Sequence, residues 1–452
     1  MPVRGIKDSA AYVVAVSMGY GHERAASALR SIAVQNQVIL ANAYPGMPAF
    51  DKQLWSTGQS WYERISRFKR VPIVGAAAFG VMDHLQEIEP FYPRRDLSTP
   101  TLQVKQTYAL IRKAKHCQHL IGKLAEQPKP LISTFMTPAF AAEEFGYPED
   151  IYLVICDADV SRAWAPLCPR RSRIKYLAPT GRVVERLQLY GVPRENILFT
   201  GFPLPTENIG GPNADTALSD LSRRMCNLDP HGIFVQHSTA MLHAKFGQDF
   251  CDYVARKRST PISLTFAVGG AGAQRELGIL AAQSLMGDIL GGRLTFNLIA
   301  GTHVGIGEYF VSELNQTPLK RALADGRITI LCTPDRGKYF NGFNKLMRKT
   351  DILWTKPSEL SFYTGLGLPI LMAPTVGSQE DFNRNWLYQV GGGTDALAPE
   401  YTQEWLWDWI NSGALARMAW NGYTNAPTHG AYRIEDVVRN RPWSMHELPL
   451  VV

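Results

Sequence analysis

Ser17-Met-Gly19-Tyr-Gly21-His22 sets two glycines and an imidazole between an apolar run, 11–17, and an Ala-rich helical pattern starting near Glu23. Glycines at such a turn let a ligand come close to the backbone, and the helix start behind them offers N–H groups the helix does not use. The chemistry this permits is capture of an oxygen-rich group; the plainer alternative is a tight turn with His22 as a cap. Phe266-Ala-Val-Gly269-Gly270-Ala-Gly272-Ala-Gln274 repeats the strand, Gly-rich turn and helix order. It departs from the dinucleotide fingerprint, lacking the ribose-binding acid about 20 residues on, which leaves a phosphate cradle or a glycine hinge for close helix–sheet packing. Two polar clusters, Thr355-Lys356-Pro357-Ser358-Glu359 and Gly377-Ser-Gln379-Glu380-Asp381-Phe-Asn383, each follow a short apolar run. Turns at the carboxyl ends of strands are where open α/β sheets bind ligands, so one crevice is expected to collect them. Cys156-Asp157-Ala-Asp159-Val-Ser161-Arg162-Ala-Trp164 also follows such a run. The Asp157-Ala-Asp159 spacing imitates a metal-binding pair, but an N-cap beside a turn acid accounts for it equally well.

The elements that must hold these residues form an alternation. Apolar, β-rich runs read at 11–17, 38–41, 131–135, 151–156, 174–178 and 197–200, then again at 262–268, 294–299, 328–331, 352–354 and 370–373. Helical patterns lie between most of them, the sign of parallel βαβ units covered on both faces. The polar, Pro- and Gly-containing stretch 202–213 breaks the rhythm as a linker would, with a boundary near 205. The expectation is an N-terminal domain, 1–205, with a helical insertion at about 50–110, a second domain, 206–400, and C-terminal helices with an irregular tail, 401–452. The Trp405-Leu-Trp407-Asp-Trp409 pattern reads as packing.

Composition excludes several classes. The chain has 452 residues, 19% charged and 45% apolar, so it is neither disordered nor a coiled coil. Six cysteines at 117, 156, 168, 226, 251 and 332 form no Cys-x-x-Cys pair, and His237 and His243 lack metal-ligand spacing, so no metal site is expected. The formal charge of +7 carries no long basic run, which argues against nucleic acid and suits an anionic ligand. Val71 to Met82 is too short to span a membrane, and 10–16 is too short for a signal peptide, so a cytoplasmic protein is expected. Basic and aromatic residues next to an apolar run make 61–82 the candidate for peripheral contact with an anionic bilayer, against a packed helix pair.

Taken in order, Ser-x-Gly-x-Gly-His, Gly-Gly-x-Gly, Thr-Lys-Pro-Ser-Glu, Gly367-Leu-Pro369 and Gly-x-Gln-Glu-x-x-Asn resemble the motifs of GT-B glycosyltransferases. The likeness is to the branch of monogalactosyldiacylglycerol synthase, processive diacylglycerol glucosyltransferases and the peptidoglycan-precursor N-acetylglucosaminyltransferase. Thr180-Gly-x-x-x-x-Arg-Leu, Tyr190-Gly-Val-Pro and Thr200-Gly-Phe-Pro203 extend it, so that it runs from about 11 to 393. The resemblance implies an α/β, GT-B fold: two Rossmann-like doubly wound domains facing a central cleft. It implies a hexosyl group passed from a nucleotide diphosphate sugar, by resemblance a UDP-sugar, to a hydroxyl of a lipid or small-molecule acceptor. The transfer would invert the anomeric centre without a metal, and the nucleotide sugar is a co-substrate, so no cofactor is implied. Gly269, Gly270, Gly272 and Gln274 would lie near the diphosphate, with Lys356 and Ser358 beside them. Glu359 would accept from the ribose hydroxyls, while Gln379, Glu380 and Asn383 would meet the sugar. On the acceptor side stand Ser17, Gly19, Gly21, Asp159 and Trp164. Galactolipid synthases carry Asp where this chain has Ser17, so the base falls to His22 or Asp157. A nucleotide-sugar 2-epimerase of the same fold and a non-catalytic nucleotide-sugar binder are the alternatives.

Overall fold

The computed structural model describes residues 10–57, 88–248, 260–267, 272, 274–375 and 377–444. They divide into two compact units. Unit 1 holds the chain up to Pro203, the segment 377–383, and the chain from His429; unit 2 holds Leu204–Thr375 and Arg384–Thr428.

Unit 1 is built on a parallel sheet of β1 (Ala11–Ala15), β2 (Ala33–Leu40), β3 (Leu131–Ser133), β4 (Ile151–Val154), β5 (Lys175–Ala178) and β6 (Ile197–Phe199). The strand order is β2-β1-β3-β4-β5-β6. Every residue of β3 and β4 is buried, as parallel strands covered on both faces must be, and this is why they read as continuous apolar runs without alternation. Strand β2 begins five residues earlier than its apolar run. Gln35 and Asn36 have positive φ, and the pairing jumps from Ala11↔Ala33 to Val13↔Val38, so a bulge hides the polar first half of the strand.

Unit 2 repeats the plan with β7 (Ile262–Ala267), β8 (Leu294–Gly301), β9 (Ile328–Cys332), β10 (Ile352–Thr355), β11 (Ile370–Met372) and β12 (Gly393–Asp395). Its order, β9-β8-β7-β10-β11-β12, is the 3-2-1-4-5-6 arrangement of a Rossmann sheet, all parallel. The doubly wound α/β class expected from the alternation is therefore the one each unit has. Trp354 meets Phe266 and Trp405 edge-on at 5.7 and 5.6 Å within the core, so Trp405 packs and offers no sugar platform.

Three differences from the sequence reading have local causes. Strand β12 has no apolar signature. Its approach through Gly391-Gly392 is glycine-rich because a Cβ on Gly392 would collide with the Thr364 hydroxyl. Within the expected helical insertion, 49–57 is helix, 88–101 has no regular element, and helix resumes at Leu102. Pro90, Pro93 and Pro100 remove backbone donors through the irregular part. The tail is not irregular throughout: Gly430–Val438 is a helix, and it belongs to unit 1, where the Arg433 guanidinium donates to the Thr200 carbonyl at 2.9 Å. No helix among the described residues is long and apolar enough to cross a membrane. The 61–82 candidate lies outside the described residues.

Candidate functional site

Each sheet has a point where its strand order reverses, and the carboxyl ends of the strands flanking that point form the crevice in which open α/β folds bind ligands. In unit 1 this point lies between β1 and β3. The turn after β1 carries Ser17 and Gly19, and the first turn of the helix that follows carries Gly21 and His22. Gly19 has φ +133°, a conformation that favours glycine, and gives the helix Tyr20–Ala28 no side-chain cap. Asn42, in the turn after β2, holds this loop by both ends of its amide: its Oδ1 accepts from the Ser17 N–H at 3.0 Å and its Nδ2 donates to the Ser17 carbonyl at 3.3 Å.

Neighbouring strands β3 and β4 deliver the rest. Phe135 follows β3, and its ring meets the His22 ring edge-on at 5.1 Å and the Trp164 ring at 5.8 Å; Trp164, after β4, lies 5.7 Å from His22. All three rings are partly exposed. Their mutual packing restricts the imidazole beside a half-open aromatic surface, suited to the apolar face of a ring or chain.

The two acids after β4 have different fates. Asp159 is 2% exposed, and both its oxygens accept from Arg186, at 3.0 and 2.8 Å. Burial pushes its carboxyl above the ordinary value, with Arg186 pulling the other way. Arg186 is itself fully buried, donates to the Glu89 carbonyl at 2.7 Å and lies over the Phe91 ring. That pair fastens the turn to the helix Gly181–Leu189 and leaves Asp159 neither a base nor a metal ligand. Asp157, partly exposed, accepts from Asn383 Nδ2 at 3.0 Å. The same amide's Oδ1 accepts from the Ala158 N–H at 2.7 Å, and Asn383 is only 1% exposed. Beside it, Gln379 and Glu380 are partly exposed.

In unit 2 the order reverses between β7 and β10. Gly272 and Gln274 follow β7; Lys356, Ser358 and Glu359 follow β10, all five partly exposed. Gly269 and Gly270 lie outside the described residues. Gly272 has φ +66°, and a Cβ there would press on Ile306 of the helix Val304–Asn315, so close packing also requires glycine at this position. Gln274 Nε2 donates to the Pro374 carbonyl after β11 at 2.8 Å, which ties the loops flanking β10. Its Oε1 is buried without a hydrogen-bond partner among the described residues, an acceptor that a ligand hydroxyl or N–H would satisfy. Among the described residues, no group of three or more His, Cys, Asp or Glu side chains is placed to hold a metal ion.

Sequence reasoning missed Asn42, Phe135 and a buried pair next to the aromatic group. His116 Nδ1 lies 3.1 Å from Asp51 Oδ1, with Trp55 4.7 Å from the imidazole and 6.3 Å from Phe135. Burial lowers the His116 pKa against the pull of Asp51. Lys115 and Cys117, on either side, both have positive φ without being glycine. No local motif announces this pair, because Asp51 and His116 are brought together across 65 residues.

A family model described as Domain of unknown function (DUF6938) matches residues 227–407, most of them in unit 2. No curated protein matches the chain. Among solved structures it is similar to MurG of Acinetobacter baumannii (12% identity, TM-score 0.44, 95% of this chain and 99% of that one). It is similar also to the glycosyltransferase SnogD of Streptomyces nogalater (12%, 0.41, 95% and 100%). A third is the UDP-GlcNAc 2-epimerase of Neisseria meningitidis bound to UDP-GlcNAc (13%, 0.41, 75% and 82%). At these values, what those proteins bind remains a statement about them. What the sheets of this chain define is a protein of two Rossmann-like parallel α/β units, each with polar residues gathered at its switch point.

Proposed function

We propose that the chain is a GT-B glycosyltransferase, moving a hexosyl group from a nucleotide diphosphate sugar to a hydroxyl acceptor. The observation that carries this reading is the coincidence of motif and topology. The residues that resemble the donor motifs, Gly272, Gln274, Lys356, Ser358 and Glu359, follow the two strands that flank the unit 2 switch point, and Ser17 to His22 follows a strand flanking that of unit 1. Neither arrangement is required for folding a parallel sheet.

In this reading Glu359 accepts from ribose hydroxyls, Lys356 and N–H groups of the loop after β7 steady the diphosphate, and Gln379 and Glu380 meet the sugar. Asp157 or His22 takes the proton of the acceptor hydroxyl as its oxygen attacks the anomeric carbon, and the nucleotide diphosphate leaves. The aromatic group of His22, Phe135 and Trp164 seats the apolar part of the acceptor. A UDP-sugar donor and a lipid or small-molecule acceptor belong to this proposal.

A thermal-shift panel of nucleotide diphosphates and nucleotide sugars tests it. A ligand at 100 times its Kd stabilises by about 2.7 kcal/mol, and Glu359→Ala is expected to abolish the response. A full response in that variant overturns the donor site. His22→Ala and Asp157→Ala are expected to keep donor binding and lose transfer. Release of an epimerised free nucleotide sugar with no acceptor present would replace transfer by 2-epimerisation.

A further inference from the structure

Three guanidinium groups gather on one buried ring in unit 1. Those of Arg182, Arg186 and Arg94 lie 3.9, 5.0 and 5.4 Å from the centre of Phe91. Two are matched by carboxylates, Arg186 by Asp159 at 2.8 Å and Arg94 by Glu185 at 3.2 Å. Arg182 differs from both. Among the described residues it makes no ion pair and no hydrogen bond, and its Nη1 is buried without a partner although the residue is partly exposed. Asp159 attracts it but gives both oxygens to Arg186.

The place is a poor one for an unmatched cation. Arg182 stands in the first turn of the helix Gly181–Leu189, where the helix dipole disfavours positive charge. Burial, and then repulsion from Arg186 and Arg94, pull its pKa below the ordinary arginine value. Folding alone would be served by an uncharged side chain packed on Phe91. What arginine adds is a flat fork held in one plane, with in-plane N–H groups left for an acceptor. The group that completes it brings a negative charge and two oxygens on one atom, as a phosphate or a carboxylate does. The exposed Tyr92 ring stands 5.9 Å from the same guanidinium.

We propose that Arg182 anchors an oxyanion site in unit 1, and that the hydroxyl acceptor carries a phosphate or carboxylate group which this site holds. The second half rests on the transferase reading. Arg182 follows β5, and Asp157 and Trp164 follow the adjoining strand β4, so all three come from the same carboxyl edge of the sheet. The oxyanion site is built from unit 1 alone, whereas Lys356 and the loop after β7, proposed for the nucleotide diphosphate, belong to unit 2.

Titration of the whole chain with inorganic phosphate and, separately, with acetate at constant ionic strength tests the site, read on the backbone amide of Gly181 by NMR. At least one anion is expected to give a saturable shift. Arg182→Gln is expected to weaken that binding by about tenfold or more, and so is Arg182→Lys, which keeps the charge but lacks the fork. Arg170→Gln, which removes an equal charge from an exposed pair with Asp96, is expected to change it by less than about twofold. No saturable shift with either anion, unchanged affinity in either Arg182 variant, or equal weakening in Arg170→Gln overturns the site.

The acceptor half is read on kcat/KM for acceptors that differ only in the anionic group that binds. Wild type is expected to favour the charged one by about tenfold or more, and Arg182→Gln to lose that preference with KM for the nucleotide sugar within about twofold. Equal use of both by wild type overturns that half. A chain that turns over no acceptor overturns the transferase reading instead, and the phosphate and acetate titrations still decide the oxyanion site.

Discussion

Replacing Arg186 by Met strips a buried carboxylate of its partner. Asp159 is 2% exposed and Arg186 fully buried, so solvent cannot substitute for the guanidinium. The change removes two charge-assisted hydrogen bonds, at 3.0 and 2.8 Å, a third to the Glu89 carbonyl at 2.7 Å, and the cation over the Phe91 ring at 5.0 Å. Methionine keeps most of the apolar volume, which isolates the electrostatic loss from a cavity. Breaking one side of a buried pair costs about 3–5 kcal/mol, or roughly 10 °C in the melting of a unit of this size. The loss also has a pH signature. Burial already raises the folded-state pKa of Asp159, and without Arg186 only the Val160 N–H and the charge of Arg182 oppose it. A carboxyl raised on folding makes stability fall as pH rises between its unfolded value, about 3.9, and its folded one. The deficit relative to wild type should therefore be largest near neutrality and shrink on acidification. Urea unfolding at pH 5 and pH 8 measures both, and Asp159→Leu in the Arg186→Met background should recover most of the loss. A deficit below about 1 kcal/mol, or one independent of pH, would refute the claim that this ion pair anchors the turn after β4.

Asn42→Ala removes two bonds to the Ser17 backbone and should cost about 1–2 kcal/mol in urea unfolding while loosening the loop before His22, read as faster exchange of the Ser17 amide. Gly392→Ala should destabilise unit 2 by about 1–3 kcal/mol through overpacking against Thr364, a loss Thr364→Ala should partly reverse. The lowered pKa of His116 means the folded state prefers the neutral ring. That contribution is complete above the unfolded value near 6.5 and is lost as pH falls toward the lowered folded value, so His116→Gln should flatten the decline of stability below pH 6.5 seen by thermal melting.

Eleven of the twelve strands among the described residues were legible as apolar runs, most of them buried on both faces, a signal that survives without knowledge of its partners. The strand order was not, since crossovers leave no trace in a run such as Ile352–Thr355; only the fold shows that it lies beside β7 and so brings Lys356 and Glu359 to the switch point. Residue type alone does not separate Asp157 from Asp159. Their difference is set by Arg186, 27 residues beyond Asp159, and by Asn383, 226 beyond Asp157, distances at which no local pattern operates. The helix Gly430–Val438 escaped notice because its buried face is defined by what it packs on in unit 1, not by a strong cap or a long repeat.

That last helix has a consequence for how the chain is made. Unit 1 takes its final pieces, 377–383 and the residues from His429 onward, from beyond most of unit 2. During synthesis, at roughly 5–20 residues per second, the first sheet is translated early but must wait tens of seconds for the residues that cover Phe202 and hold Thr200. Unit 2 has no such wait once Thr428 has emerged. The order of completion on the ribosome is thus the reverse of the order of the first strands.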